Sequence, residues 1–191
     1  MQNQTDTCVQ RPDRLLLDRV PTPIGTALLV TDEAGVLRAL DFEEYESRML
    51  RLLRLHYGGK SLQDGAAPAE MKSNLQRYFD GEPAALRSVA WATAGTPFQR
   101  TVWSALVAIP AGETRSYGEL ARQLGLPAAA RAVGWANGSN PVAIVVPCHR
   151  VIGASGKLTG YAGGLHRKQW LLEHEGARIA TSLDLFPVAA R

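Results

Sequence analysis

Five consecutive apolar residues, Val142-Ala143-Ile144-Val145-Val146, run directly into Pro147-Cys148-His149-Arg150-Val151. So apolar a stretch has to be buried, and its length and β-branching predict a strand. The chain is therefore expected to fold around a segment that ends by presenting a thiol beside an imidazole. A thiol attacks as its thiolate, and a neighbouring histidine, or a water polarised by it, can draw off the proton. Along a regular strand successive side chains point to opposite faces, so His149 reaches Cys148 directly only where the backbone turns; a water relay is the equal alternative. Taken alone, the same residue also fits a buried structural thiol.

The rest of the chain narrows these choices. Its 191 residues suffice for one large or two small domains. It has no apolar run long enough for a membrane helix, and its polar start, Met1-Gln2-Asn3-Gln4-Thr5-Asp6, is unlike a signal peptide, so a cytoplasmic protein with no membrane partner is expected. Cys8 and Cys148 are the two cysteines, too few for a disulfide framework, and without CxxC or HExxH spacing neither a metal nor another cofactor is expected. Charge is divided unevenly. Residues 1–94 carry 11 Lys+Arg against 13 Asp+Glu, net −2, whereas residues 95–180 carry 9 against 4, net +5. The basic half holds Cys148, and clustered positive charge is the footprint of a phosphate-bearing partner or simply a solvated surface.

A polar leader is expected over 1–13, an α+β domain over 14–90, a linker over 91–96, a second domain over 97–180 and a tail over 181–191. In the first domain Pro21 to Phe42 reads as a hairpin around Asp32-Glu33-Ala34-Gly35, followed by helices at Tyr45 to His56 and Ala69 to Phe79. The second domain should begin with a helix from Phe98, with Val102, Leu106 and Ile109 on one face. Ser116 then caps a helix at Tyr117 to Gly125, and a third runs from Ala128 to Asn137. Two short helices around a glycine-containing turn are the pattern of a helix-turn-helix, although an ordinary helical hairpin has the same outline. The second of them opens with small alanines and carries one long cation, Arg131, a composition poor for a core and suited to a groove.

Asn137-Gly138-Ser139-Asn140-Pro141 joins that helix to the apolar run, and Asn140 either caps the turn or fixes helix and active segment relative to one another. Beyond Val151, the glycine-rich stretch to Gly164 is suited to lining a pocket with backbone. A helix over Leu165 to Glu175, stopped by Gly176, brings a carboxylate, Glu175, that can orient the imidazole and stabilise its cation.

Pro147-Cys148-His149-Arg150-Val151, taken with Tyr117, Arg131, Asn140, Tyr161 and Trp170-Leu171-Leu172-Glu173-His174-Glu175-Gly176 in that order, resembles the alkylguanine-DNA alkyltransferases, also called methylated-DNA–protein-cysteine methyltransferases. The likeness spans both halves and is strongest from Thr96 to Gly176. It implies an α+β chain with an N-terminal ribonuclease-H-like domain and a C-terminal winged helix-turn-helix-like alkyltransferase domain. It also implies stoichiometric, irreversible transfer of an alkyl group from O6 of guanine, and from O4 of thymine, to Cys148 after nucleotide flipping. In that resemblance His149 is the base through water, Glu175 orients it, Tyr117 rotates the nucleotide and donates a proton, and Asn140 is the hinge. Arg131 looks like the arginine finger; Ala130, Ala132, Gly134, Ser139 and Arg150 would join it on DNA, and Pro147, Val151, Tyr161, Ala162 and Gly163 would wall the lesion pocket. Ser139 stands where some relatives have a basic residue. The implied partner is the minor groove of double-stranded DNA containing alkylated guanine, bound by a monomer with cooperativity on DNA left open. Competing readings are a lesion sensor, which typically lacks the acceptor cysteine, a transcriptional regulator using the helix-turn-helix alone, and a cysteine hydrolase, which leaves Arg131 and the basic half unexplained.

Overall fold

Alternation in Leu15-Leu16-Leu17-Asp18 turns Leu15 and Leu17 to the interior and opens β1 (Leu15–Thr22). Pro23-Ile24 turns it back into β2 (Gly25–Asp32), with Gly25 at φ 115°, where a side chain would be strained. The computed structural model describes residues 12–178, so Cys8, the tail expected over 181–191 and all but the end of the expected leader lie outside the described residues. These residues form two units, one reaching Arg100 and including Pro141–Val145, the other comprising Thr101–Asn140 and the chain from Val146.

In the first unit β3 (Leu37–Phe42), α1 (Glu46–Tyr57), β4 (Leu62–Asp64) and α2 (Ala69–Phe79) follow. The sheet order is β3-β2-β1-β4, with β4 parallel to β1 and the other pairs antiparallel. Met49, Leu53 and Tyr57 of α1 pack on Leu15, Leu17, Leu28, Val30 and Ala39. The expected β2–β3 turn is held by Asp32, whose side chain accepts from the backbone of Ala34 and Val36 and pairs with the buried guanidinium of Arg38 at 2.6 Å. The sequence hides β1 because Pro21 and two charged residues interrupt it. Pro21 is tolerated because β4 pairs with Leu15 to Leu17 alone and leaves that side of Pro21 open. Trp91 and Ala92, expected to begin a linker, instead pair with the outer edge of β3, as does Val142, so an otherwise open edge is closed.

In the second unit, α3 (Pro97–Val107, whose first turn belongs to the other unit) buries Val102, Trp103 and Leu106. The Trp103 indole N–H donates to the Ala136 carbonyl of α5 (Ala130–Gly138) at 2.9 Å. β5 (Arg115–Ser116) runs parallel to β6 (Val151–Ile152), and α4 (Tyr117–Gln123) starts at once after β5. Ser116 caps α4 as expected: its hydroxyl accepts from the Glu119 backbone at 3.2 Å while the Glu119 carboxylate accepts from the Ser116 backbone at 2.6 Å. Gly125, at φ 73°, turns the chain toward α5, which begins two residues later than the sequence suggests because Pro127–Ala129 forms a 3-10 turn. α6 (Leu165–His174) ends at Gly176, φ 75°. The fold is α+β, an N-terminal sheet unit with a C-terminal helical one.

Replacing Ser116 by Ala removes one half of the reciprocal cap. The expected result is a loss of about 1 kcal/mol in unfolding free energy, read as a lower urea midpoint at unchanged slope.

Candidate active site

The apolar run before Cys148 is not a strand. Val142 bridges to Leu40, and the chain then turns, with Val145 N–H donating to Ala143 at 2.7 Å and Ile144 at φ 67°. A β-branched residue in the left-handed region is strained, and such conformations persist only where their surroundings impose them. Cys148–Arg150 is itself a 3-10 turn, its first N–H bonded to the Val146 carbonyl at 2.8 Å. Periodicity reports that this segment is buried; it does not report that, past the bridge to β3, its backbone is held by its own turns and by side chains rather than by a neighbouring strand.

Those partners come from the end of α5. Asn140 donates its amide to the Val146 carbonyl at 2.8 Å, and Asn137 donates to the Cys148 carbonyl at 3.3 Å. Asn140 was anticipated as a hinge. Asn137, read from sequence as the last residue of the helix and the first of its connection, is buried and holds the turn at a second carbonyl, and an asparagine beside the buried face of Val133 and Ala136 was the available signal.

Cys148 is buried, and His149 and the Glu175 carboxylate are fully so. His149 Nε2 lies 3.0 Å from Glu175 Oε1. Glu175 also receives Arg150 Nε on Oε2 at 2.7 Å and Arg150 Nη2 on Oε1 at 2.8 Å, while Arg150 Nη1 donates to the Ile109 carbonyl at 2.5 Å. Burial alone would raise the Glu175 pKa, but the hydrogen bonds and positive charge of His149 and Arg150 prevail and hold it well below the ordinary carboxylate range. Burial pushes His149 down, with Glu175 partly opposing. The imidazole is therefore neutral, with its Nε2 proton given to a carboxylate anion. Its buried Nδ1 has no hydrogen-bond partner and keeps a lone pair for a proton.

Arg150 corrects one expectation. Its guanidinium is turned inward and used up on Glu175 and Ile109, so it is not available to DNA phosphates.

Lys168 was missed altogether. Its ammonium is buried and donates to the carbonyls of Val151 at 2.5 Å and Thr159 at 2.7 Å, fastening the glycine-rich stretch to β6. Burial lowers its pKa to about 8, against an opposing attraction from Cys148. That attraction is mutual, so the ammonium favours the thiolate. Arg167 similarly holds the Gly163 carbonyl at 3.1 Å. Of the expected pocket residues, Pro147, Val151 and Gly163 are buried, Ala162 is half-buried, and the half-buried Tyr161 ring meets His149 edge-on at 6.4 Å.

The remaining candidates gather on the α4–α5 pair. The half-buried Tyr117 ring lies against Gly134 of α5, where an added Cβ would make an ordinary contact at 3.6 Å. Arg131 and Ala132 are exposed, and Ala130 and Ser139 half-buried.

Residues 18–90 match a family described as the 6-O-methylguanine DNA methyltransferase ribonuclease-like domain, and residues 97–177 match its DNA binding domain. The class is thus that of the two-part 6-O-methylguanine DNA methyltransferases, whose second part is the DNA binding domain. A methylated-DNA–protein-cysteine methyltransferase from Salmonella typhimurium is 53% identical over 165 residues, 85% of this chain and 96% of that protein. The crystal structure of the Mycobacterium tuberculosis O6-methylguanine methyltransferase is 44% identical, covers 91% of this chain and 99% of its own, and has a TM-score of 0.68. That of Mycobacterium tuberculosis OGT in complex with DNA is 43% identical, covers 90% and 99%, and has a TM-score of 0.71. The chain belongs to the methylated-DNA–protein-cysteine methyltransferase family.

Acidification should destabilise the protein through both buried groups. His149 is depressed, so the unfolded chain takes up its proton first, below about pH 6.5; Glu175 is depressed too, so its contribution fades from about pH 4.5 downward. Glu175→Gln should flatten the lower part of a curve of unfolding free energy against pH and slow the cysteine's reaction on the order of 100-fold.

Proposed function

We infer that the chain repairs DNA by taking the alkyl group from O6 of guanine onto Cys148. The observation that carries this reading is the 3.0 Å contact of His149 Nε2 with the Glu175 carboxylate, which leaves the unpartnered Nδ1 as the base, on a turn that begins with the thiol. The Cys148 proton passes to Nδ1 through water, and Glu175 stabilises the resulting imidazolium, while Lys168 favours the sulfur anion. Sulfur forms a bond to the alkyl carbon as that carbon's bond to guanine O6 breaks; the electron pair stays on the base, which is protonated by Tyr117. The product is a thioether that water does not reverse, so each molecule acts once. O4 of thymine presents the same alkyl–oxygen bond and is the second substrate.

The base has to leave the stack to reach a buried thiol. DNA is the partner, as it is in the complex of the Mycobacterium tuberculosis relative. The minor groove is the surface proposed for it, because Ala130, Ala132 and Gly134 let α5 approach closely, and Arg131, exposed on that helix, fills the vacancy in the stack. All of these groups lie in one chain, which supports action as a monomer, with neighbouring molecules free to bind cooperatively along a duplex.

Intact-mass measurement after incubation with a methylated duplex tests the reading: one methyl group should appear, on the peptide holding Cys148. Cys148→Ser should abolish that gain while still binding the lesion, and a methyl group found on another peptide would overturn the assignment. Arg131→Ala should slow transfer from duplex far more than from free O6-methylguanine, since the duplex alone requires flipping; equal losses on both substrates contradict the finger role.

A further inference from the structure

The one large apolar side chain that α5 leaves in water is Trp135, 77% exposed. It has no freedom to turn inward. Val133, Ala136 and Asn137 occupy the buried face, the Trp103 hydrogen bond to the Ala136 carbonyl fixes the helix's rotation, and Asn137 is tied to the Cys148 turn. On the outer face Trp135 lies one helical turn beyond Arg131, with Ala132 and Gly138 exposed around it. Exposing an indole costs favourable burial, and an isolated one amid small residues lacks the contiguous apolar patch of a protein interface. A planar ring beside a cation on a slim helix suits a nucleic acid, whose sugars and base faces offer flat apolar surface between phosphates.

We propose that Trp135 is a second wedge on α5, inserting its indole into the minor groove beside Arg131 and widening it against the sugars and base edges. This rests on the reading that α5 is the helix facing DNA. Four residues of helix advance about 6 Å, close to two base-pair steps of about 3.4 Å. The indole therefore engages the duplex about two pairs from the position emptied by flipping. The minor groove is only about 6 Å wide, so an indole enters by opening it, and partial unstacking there lowers the further cost of rotating the lesion out.

The experiment compares wild type, Trp135→Ala and Trp135→Phe on a duplex carrying O6-methylguanine, on the same duplex unmodified, and on the free O6-methylguanine base, with 2-aminopurine about two pairs from the lesion to report unstacking. Trp135→Ala should bind both duplexes about 10-fold more weakly and lose the 2-aminopurine brightening, while accepting the methyl group from the free base at the wild-type rate. Trp135→Phe should restore most of the affinity. Unchanged duplex affinity in Trp135→Ala overturns the proposal, as does an equal loss on the free base, or a change confined to self-association in sedimentation without DNA. A wild type that binds duplex but gains no methyl group would sink the alkyl-transfer reading and leave the affinity comparison to decide this one.

Discussion

The second unit is organised around one buried negative charge. Glu175 sits just past the end of α6, where the helix dipole disfavours an anion, and it is out of contact with water. Such a charge costs several kcal/mol unless it is fully paired, and Arg150 supplies the two-pronged partner from the turn that carries Cys148. The same carboxylate then settles which nitrogen of His149 holds the proton. Gly112, at φ 82°, lets its loop pass beside the Glu175 backbone, where a side chain would come within 3.2 Å of the carbonyl oxygen. The buried ion pair and the alignment of the imidazole are thus one object, and Arg150, a surface cation by composition, belongs to it.

Around that charge, side chains take the place of a β-ladder. The carbonyls of Val146, Cys148, Val151, Thr159 and Gly163 accept from Asn140, Asn137, Lys168 and Arg167. Buried backbone groups need partners, and here the partners are amides and cations rather than a neighbouring strand. This is how a run of β-branched residues comes to lie in a turn, with Ile144 held at positive φ. Lys168 and Arg167 stand in the first turn of α6, the end a helix dipole makes unfavourable for cations. Their hydrogen bonds to the glycine-rich stretch account for the placement.

The helix α5 is divided lengthwise. Its buried side carries Val133, Ala136 and Asn137 and sets the position of the thiol turn; its open side carries Arg131, Ala132 and Trp135. Events on the open side therefore have a short covalent and hydrogen-bonded route to Cys148, through Asn137 and Asn140.

Local chemistry is what the sequence alone determined. Asp32 to Gly35 as a turn, Ala69–Phe79 as a helix, the Ser116 cap, Gly176 as a stop and the inward face of Val102, Leu106 and Ile109 each depend on neighbours within a few residues. The thiol, the imidazole beside it and the distant carboxylate were legible as candidates because thiol chemistry needs those types together, and the structure brings His149 and Glu175 into contact. Tertiary structure alone decided which groups satisfy the backbone of 142–150, and so whether it is strand or turn. It also placed β1 and β4 together, closed the edge of β3 with Trp91 and Val142, and buried Lys168 and Arg150. A cation's destination and a strand's partner depend on atoms far away along the chain, and neither leaves a periodic trace in its own neighbourhood.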